Sequence, residues 1–282
     1  MIDEHEIPKG SRLYFGKSAK LKRDIEAVAS KLFEDLGFEE IVTPFFSYHQ
    51  SLNEKEIIRF SDEHNNLISL RADSTLDVVR LMTKRLGRST KHNRWFYIQP
   101  VFRYPSFEVN QIGAEFIGND NLSLGIELCV DLFRKFDLNP LVHISNIKIP
   151  KLIAKELNLD LNIFERAELH KILSLKIDWL ERLAYLQNPQ DIDEVIEIVP
   201  TSLKAELQKM RSLYEKLEYK NVYFSPLYYV NMRYYDELFF RFIENNSTLA
   251  KGGSYKSEGA KSAGFGLYTD ALIETILNKR EE

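Results

Sequence analysis

Three groups of polar residues in this sequence have the types and spacing of a small-molecule site. The segment LRADST, residues 70–75, places a guanidinium, a carboxylate and two hydroxyls at a predicted strand-to-helix step. Arg103 lies in the run QPVFRY, and Gln111 and Glu115 follow at a spacing of four, which puts both on one face of a strand. The third group is aromatic and consists of Tyr234, Tyr235 and Tyr255. Charges of both signs beside tyrosines, which combine an apolar face with a polar tip, complement a zwitterionic ligand.

Each of these residues also has an ordinary structural interpretation, which we favour for any one residue taken alone. Asp73 would be the N-cap of the helix that follows it, and Arg103 would be an exposed strand residue. Glu115 would be solvated, and the tyrosines would fill the core. The hypothesis of a site therefore depends on the whole set and on its order along the chain.

Three common kinds of site are not encoded in the sequence. The six histidines, at positions 5, 49, 64, 92, 143 and 170, include no pair at the i, i+4 spacing of a helical metal site, and the one cysteine is Cys129. The glycine-rich phosphate loop that ends in Gly-Lys-Ser/Thr is absent from the sequence, as is the Gly-x-Ser-x-Gly turn of serine hydrolases. We therefore predict no metal site and no cofactor. The segment SAGFGLYTDAL, residues 262–272, has the strand-to-helix junction that often holds a nucleotide, but it carries no cation for the phosphates.

Composition narrows the class of protein. The 282 residues are 44% hydrophobic and 28% charged, which is ordinary for a globular protein. The net charge of −4 disfavours free nucleic acid as the main partner. One cysteine permits no internal disulfide, the polar segment MIDEHEIPKG is unlike a signal peptide, and no apolar run reaches the ~20 residues that span a bilayer. We therefore predict a soluble, cytoplasmic protein that binds no membrane.

Hydrophobic periodicity predicts an α+β protein. The run SAKLKRDIEAVASKLFEDL has apolar residues at helical spacing, with Ser18 as a candidate N-cap and Gly37 as a candidate C-terminal cap. Strand patterns follow in EEIVTP, RWFYIQPVFRY and NQIGAEFIG. Residues 147–217 are helical in pattern with almost no strand signal. We therefore predict one domain formed by residues 1–146 and 218–282, interrupted by a helical insertion at 147–217.

Taken in order, these segments resemble the catalytic domain of class II aminoacyl-tRNA synthetases, and its histidyl branch in particular. LFEDLGFEEIVTPFF is similar to motif 1, whose helix and strand build the dimer interface, and QPVFRY is similar to motif 2. LRADST resembles the histidyl Leu-Arg-Pro-Glu-Gly-Thr, and QIGAEFIG resembles the strand that carries the histidine-binding Gln and Glu. YYDELFFRF and GGSY resemble Tyr-Tyr-Thr-Gly-x-x-Phe-Glu and Gly-Gly-Arg-Tyr. The resemblance implies an antiparallel sheet flanked by helices, and a homodimer.

The resemblance also implies a histidine pocket made of seven residues. It assigns the α-ammonium group to Asp73, Thr75 and Gln111, the carboxylate to Arg103, and the imidazole ring to Glu115, Tyr235 and Tyr255. Asp73 is one methylene shorter than the glutamate of that family, so a water is expected between it and the ammonium.

In the same alignment, the residues that hold ATP in the synthetase family are missing from this sequence. Aligned on Gly264-Phe265, Asp270 falls at the family's glutamate and Ala271 at the arginine that grips the γ-phosphate. The loop YPSFEVN is short and lacks the residues that hold adenine and the α-phosphate. Val230 stands where the histidyl branch has its activating arginine, and Arg233 is out of register with the pattern. Because losing one such contact costs ~100–1,000-fold in rate, the resemblance implies that synthetase activity is lost.

A histidyl synthetase-like chain of this length without those residues is similar to the regulatory-subunit family of ATP phosphoribosyltransferase. That resemblance implies no catalytic residues, a short-form catalytic subunit as partner in a hetero-octamer, and L-histidine as an effector of the first step of histidine biosynthesis. It also implies that the anticodon-binding domain of the synthetases is absent. Two alternatives stay open, a synthetase-like protein that activates an amino acid and one that scaffolds another partner. Nucleic-acid binding through the helices of the insertion is disfavoured because those helices mix both charge signs.

Overall fold

The chain divides into two units, between Ile117 and Gly118 and again between Gly264 and Phe265, in a computed structural model of the protein. The first unit comprises Met1–Ile117 and Phe265–Glu282, and the second comprises Gly118–Gly264. The structure describes residues 6–48, 56–86, 89–229, 235–257 and 259–281. The predicted insertion, residues 147–217, lies within the second unit, and its status as a separate domain stays a prediction.

Helices and strands alternate irregularly along the chain. The elements of the first unit up to residue 117 are α1 (Gly16–Asp35), β1 (Glu39–Glu40), β2 (Phe46–Ser47), β3 (Arg59–Ser61), β4 (Leu67–Leu70), α2 (Ser74–Lys84), β5 (Arg94–Arg103) and β6 (Phe107–Phe116). The second unit contains α3 (Leu122–Arg134), β7 (Leu141–Asn146), α4 (Lys148–Glu156), α5 (Asn162–Glu165), α6 (Leu169–Leu173), α7 (Asp178–Ala184), α8 (Ile192–Ile198), α9 (Thr201–Glu215), β8 (Val222–Phe224), β9 (Tyr235–Glu244) and β10 (Ser247–Ser257). The chain ends with β11 (Ala260–Tyr268), within which the second division falls, and α10 (Thr269–Glu281). The prediction of an α+β protein is confirmed.

The first helix begins earlier than the sequence pattern predicts. Its N-cap is Phe15, so the prediction of Ser18 as N-cap is wrong. Ser18 is the third residue of the helix. Its hydroxyl accepts from the Phe15 amide at 3.2 Å and donates to the Phe15 carbonyl at 2.9 Å, and these two hydrogen bonds stabilise the first turn. The prediction for Gly37 is confirmed, because its φ of +77° follows the end of α1 and favours glycine.

The sheet of the first unit is built on the hairpin of β5 and β6. The two strands are antiparallel, with Gln99 opposite Gln111, and β1 pairs with β5 in parallel. The predicted strand EEIVTP shortens to Glu39–Glu40, and β2, β4 and β3 form a separate small sheet in that order. Both faces of β5 pack against helices, since Phe96 contacts Phe33 of α1 while Tyr97 packs with Val78 and Met82 of α2. The hairpin is therefore buried between two helices.

The strands of the second unit follow the order β10-β9-β7-β8. A two-residue turn of Asn245 and Asn246 joins β9 to β10, and both residues have positive φ, which this kind of hairpin requires. Gly252 of β10 allows a close approach of β9, because a Cβ on Gly252 would lie 2.4 Å from the ring of Phe240. The helical pattern of residues 167–186, inside the predicted insertion, is divided between α6 and α7, since Lys176 adopts a φ of +51° between them.

Cys129 of α3 is buried, and burial raises the pKa of its thiol well above the ordinary value. Among the residues that the structure describes, no helix is both long enough and apolar enough to cross a membrane.

His143 of β7 is held in its neutral form. Its ring stacks on Tyr223, with 5.0 Å between the ring centroids, and its Nδ1 lies 3.4 Å from the guanidinium of Arg241. Burial, and then the positive charge of Arg241, lower the pKa of His143 from 6.5 to about 4.

We expect the free energy of unfolding to fall as the pH is lowered from 6.5 towards 4, the two pKa values of His143. In that range the unfolded chain binds a proton that the folded chain excludes. After allowance for solvent screening, the loss should be roughly 1–2 kcal/mol. Urea unfolding at about pH 7 and about pH 5 measures it. The variant His143→Gln should lose about 1 kcal/mol less than the wild type on acidification, and equal losses would contradict this origin.

Candidate functional site

The predicted site begins at the N-terminus of α2, where Asp73 is confirmed as the N-cap. The Asp73 carboxylate accepts a hydrogen bond from the Leu76 amide at 2.9 Å, and its φ of −152° is extended. Thr75, two residues further on, is buried, and its hydroxyl lies 3.3 Å from the hydroxyl of Tyr97. The cap therefore fixes the direction of the first turn, and that turn brings Thr75 against Tyr97 of β5.

Tyr97 is the centre of a buried polar cluster that also contains Asp73, Thr75 and Glu115. Glu115 stands opposite Trp95 and Gly113 opposite Tyr97, so the carboxylate and the phenol share one face of the sheet. Glu115 is 0% exposed. Burial, and then the charge of Glu115, raise the pKa of Tyr97 well above its ordinary value. Tyr97 is therefore a neutral hydroxyl that can donate or accept a hydrogen bond inside the cluster.

Tyr97 is not among the predicted site residues. It lies in an apolar run that reads as core, and nothing in RWFYIQPVFRY marks it as polar and functional. The available signal is Gly113, a glycine inside a strand, which often marks the close approach of another group. A Cβ on Gly113 would lie 2.3 Å from the ring and the hydroxyl of Tyr97, so the glycine makes room for the phenol.

Arg71, the cation of LRADST, is hydrogen-bonded to other parts of the protein. Its side chain is 0% exposed, and burial lowers its pKa to about 10. The guanidinium donates to the carbonyl of Pro100 at 2.9 and 2.7 Å, to the carbonyl of Thr43 at 2.6 Å and to the Gln99 side chain at 3.0 Å. It also lies 4.9 Å from the centre of the Phe45 ring. Arg71 thus ties the segment after β1 to strand β5 and is not presented to a ligand.

Gln111 and Arg103 extend along the same hairpin towards its turn. Gln111 is half-buried opposite Gln99, two register positions from Tyr97 on the same face. Arg103 stands opposite Phe107, eight positions along β5 from the partner of Glu115, which is roughly 26 Å at about 3.3 Å per residue. Its guanidinium lies 4.0 Å from the carboxylate of Glu56, and both side chains are about half exposed. The structure therefore gathers Asp73, Thr75 and Glu115 around Tyr97 and places Arg103 at the far end of the strand.

The two predicted tyrosines of the second unit lie together. Tyr235 and Tyr255 stand opposite each other on β9 and β10, and their ring centroids are 6.4 Å apart. Both side chains are buried. Three residues of the predicted pattern, Val230, Arg233 and Tyr234, lie outside the described residues. The role of all seven predicted pocket residues stays a prediction.

Asp270, which aligns with the glutamate of motif 3, is held by hydrogen bonds within the first unit. It is buried at the start of α10, and its carboxylate accepts from the backbone amide and the side-chain amide of Asn110, both at 2.9 Å. The hydroxyl of Tyr14 also donates to it. Burial, and then this hydrogen bond, raise the pKa of Tyr14. The next residue, Ala271, carries no charge. The start of α10 therefore has the hydrogen-bond network of Asp270 and no cation at the position where an ATP site would need one.

The turn between β5 and β6 is short and is covered by the chain's own N-terminal segment. Strand β5 ends at Arg103 and β6 begins at Phe107. The Ser106 hydroxyl donates to the Lys9 carbonyl at 2.6 Å, and the Glu108 amide donates to the Gly10 carbonyl at 3.0 Å. Gly10 is required there, because its φ is +96° and a Cβ would lie 2.7 Å from the ring of Phe107. The prediction of a short motif 2 loop agrees with this turn.

Comparison with known proteins gives a consistent result. A sequence profile of the histidyl-tRNA synthetase family matches residues 14–272. An ATP phosphoribosyltransferase regulatory subunit from Wolinella succinogenes is 50% identical over 284 aligned positions, which cover 100% of this chain and 99% of the relative.

Two solved structures have the same fold. The structure of an ATP phosphoribosyltransferase regulatory subunit/histidyl-tRNA synthetase from Bacillus halodurans C matches with a TM-score of 0.86 and 22% identity, over 97% of this chain and 83% of that chain. An ATP phosphoribosyl transferase (HisG:HisZ) complex from Thermotoga maritima matches with a TM-score of 0.70 and 21% identity, over 88% of this chain and 97% of that chain. The predicted class II synthetase-like fold is confirmed. The chain therefore belongs to the histidyl-tRNA synthetase-like family and, within it, to the regulatory subunits of ATP phosphoribosyltransferase.

Proposed function

We propose that this chain is a non-catalytic subunit that binds and activates a short-form ATP phosphoribosyltransferase catalytic subunit, and that it carries histidine feedback to that subunit in the first step of histidine biosynthesis. The full-length relative at 50% identity is named a regulatory subunit of that enzyme, and the Thermotoga maritima structure is of a HisG:HisZ complex. The observation that carries the non-catalytic part is the hydrogen-bond network of Asp270 with Tyr14 and Asn110, next to the uncharged Ala271.

The effector in this proposal is L-histidine, bound at the cluster around Tyr97. Glu115 is fully buried beside the neutral phenol of Tyr97, and its negative charge favours a positively charged ligand group at this cluster. Asp73 and Thr75 add a second carboxylate and a hydroxyl on the same face. By resemblance, Gln111 contributes to the amino-acid end, and Tyr235 and Tyr255 to the ring. Arg103 lies at the far end of β5 and is left out of the proposed site.

Feedback requires that histidine bind two states of the subunit with different affinity. Coupling of this kind usually amounts to ~1–3 kcal/mol between sites. We propose that histidine favours one arrangement of the helices around the β5–β6 hairpin, and that contacts with the catalytic subunit transmit the difference. Activation and inhibition are then separate properties, which different variants can remove.

The variant Glu115→Gln is expected to weaken histidine binding by about tenfold or more, because a hydrogen bond to a charged group is worth ~1.5–3 kcal/mol. Glutamine keeps the volume of the side chain and removes its charge. Titration calorimetry with L-histidine on the complex with the short catalytic subunit measures the affinity. The matched control is Glu108→Gln, on the same strand but outside the cluster, which should change the affinity by less than about twofold.

The same variants separate the two halves of the proposal in a reconstituted assay of ATP phosphoribosyltransferase. Wild-type subunit should raise the activity of the catalytic subunit, and histidine should lower it again. Glu115→Gln should still activate but should be less sensitive to histidine. Equal binding heats for the wild type and Glu115→Gln in the calorimetry would rule out this cluster as the histidine site. If the activity of the catalytic subunit did not change when this chain was added, the activating role would be contradicted.

We also propose that the chain forms a homodimer through the segment that resembles motif 1. Val42 is 75% exposed and Phe46 is 58% exposed, although both are large apolar residues in the part of the first unit that corresponds to the family's dimer interface. Phe46 contacts Phe60 of the small sheet, with 5.6 Å between ring centroids, and Leu67 of the same sheet is also exposed. This apolar surface supports an interface between two copies.

The variant Phe46→Glu should therefore weaken the dimer by roughly 30-fold or more, as expected when an anchor worth at least about 2 kcal/mol is replaced by a charge. Sedimentation velocity over a range of protein concentrations measures the shift to monomer. Tyr185→Glu is the control, because Tyr185 is an equally exposed aromatic residue of the second unit. A dimer that survives Phe46→Glu unchanged would place the interface elsewhere.

A further inference from the structure

The second unit contains a polar cleft that the proposed function does not use. It has a volume of about 690 Å³, within the ~300–1,000 Å³ typical of small-molecule sites, and it is lined by the start of α3, by helix α9 and by strands β9 to β11. Three lysines, Lys209, Lys216 and Lys261, contribute to its walls. We propose that this cleft binds a small phosphorylated sugar.

The positive charge available to a phosphate comes from Lys216 and Lys261. Lys209 is engaged with the carboxylates of Glu206 at 2.9 Å and Glu237 at 3.5 Å. Lys261 lies 3.7 Å from the carboxylate of Asp120, and because both side chains are more than half exposed, this pair is weak and a ligand phosphate can replace it. Lys216 makes no ion pair with any residue that the structure describes.

At the start of α3, the backbone amides of Asn121 and Leu122 already donate to the Asn119 side chain and to the Asp120 carbonyl, so the Ser123 amide is the donor that this wall offers. This helix of 13 residues has Asn121 as its N-cap, but the side chain of Asn121 makes no capping hydrogen bond. Its oxygen instead accepts from the hydroxyl of Ser123 at 2.6 Å. Asn121, Leu122 and Ser123 all line the cleft, so the positive end of the helix dipole faces the space where an anion would lie.

Ser254 is an independent sign of a ligand. It lies on β10, lines the cleft and is 9% exposed. Its hydroxyl makes no hydrogen bond with the residues that the structure describes, and its oxygen is not fully buried, so it is open to a group in the cleft. A phosphate or hydroxyl oxygen in the cleft would satisfy it.

Two carboxylates in the same cleft explain why the proposed ligand is a sugar rather than a bare anion. Asp120 and Glu237 both line the space, and an ionised carboxylate can only accept hydrogen bonds. Burial opposes the ionisation of Glu237, but the hydrogen bond from Lys148 and the charge of Lys209 lower its pKa. Sugar hydroxyls would donate to these oxygens while the phosphate accepts from the lysines, Ser254 and the helix.

Titration calorimetry on the full chain with ribose 5-phosphate tests the proposal, with ribose and inorganic phosphate as the two partial ligands. We expect saturable binding of ribose 5-phosphate, at least about tenfold weaker binding of inorganic phosphate, and weaker binding still of ribose. The double variant Lys216→Gln/Lys261→Gln should lose at least about tenfold in affinity. Lys204→Gln on α9, outside the cleft, is the control and should change it by less than about twofold.

Absence of saturable binding would overturn the proposal, as would equal affinity of the wild type and the double variant. Equal affinity for phosphate and ribose 5-phosphate would also overturn it, because the carboxylates would then recognise nothing. Ser254→Ala gives a second readout that leaves the charges in place and should weaken binding by about fivefold. Since neither histidine nor a catalytic subunit is present, failure here leaves the proposed function untouched.

Discussion

Purified protein is expected to give no histidine-dependent exchange of pyrophosphate into ATP. Adenylate formation needs donors aimed at the charge that develops on the phosphates, and each missing contact costs ~100–1,000-fold in rate. Ala271 replaces the arginine that would grip the γ-phosphate, and the short turn between β5 and β6 leaves few residues for adenine and the α-phosphate. With two such contacts missing, the rate should be at least ~10⁴-fold below that of an active histidyl synthetase.

The exchange assay has a clear positive control, an active histidyl-tRNA synthetase at the same concentration. Restoring one charge with Ala271→Arg is not expected to restore exchange, because Asp270 beside it stays bound to Tyr14 and Asn110. Exchange above background in the wild type that disappears in Arg103→Ala would contradict the loss of activity. That result would favour the alternative of an enzyme that activates an amino acid.

The variant Arg71→Met should lower the free energy of unfolding by about 3–5 kcal/mol, the usual cost of breaking a buried charged network. Methionine fills a similar volume but leaves the carbonyls of Thr43 and Pro100 and the side chain of Gln99 without their donor. Each buried polar group left without a partner costs ~1–3 kcal/mol. Urea unfolding followed by circular dichroism measures the loss.

Arg94→Met is the matched control for Arg71→Met. Arg94 begins β5, the strand that carries Gln99 and Pro100, and its guanidinium donates to one carbonyl, that of Leu36, at 3.3 Å in an exposed position. Its replacement should change the free energy of unfolding by less than about 0.5 kcal/mol. A loss below about 1.5 kcal/mol for Arg71→Met would mean that the segment after β1 is held mainly by other contacts.

Features that depend on neighbours along the chain could be predicted well from the sequence. Asp73 is the N-cap of α2 because a carboxylate before a helix can reach an amide three residues ahead. Gly37 ends α1 because a positive φ there favours glycine. The prediction of Ser18 as the N-cap of α1 is wrong, although it uses the same kind of local evidence. The pattern of apolar residues does not define the first turn of a helix, and helix ends commonly vary by one or two residues.

Features that depend on distant parts of the chain could not be predicted from residue types. In the LRADST segment, the sequence suggests that Arg71 is a cation available to a ligand. In the structure, its guanidinium donates instead to backbone carbonyls 28 and 29 residues away. Tyr97 reads as core, because an apolar strand with helices on both sides carries no mark of which face holds polar partners.

The α+β class and the order of the synthetase-like segments follow from the chain alone, because helix, strand and cap preferences act within a few residues. The missing cation at Ala271 is a property of one residue type and needs no structure to be seen. Three features are visible only in the folded chain: Arg71 is bound by backbone carbonyls, Glu115 is buried beside Tyr97, and Asp270 accepts from Tyr14, which lies 256 residues away. Whether a charged side chain faces a ligand or a neighbouring carbonyl depends on long-range packing, and spacing along the chain does not encode it.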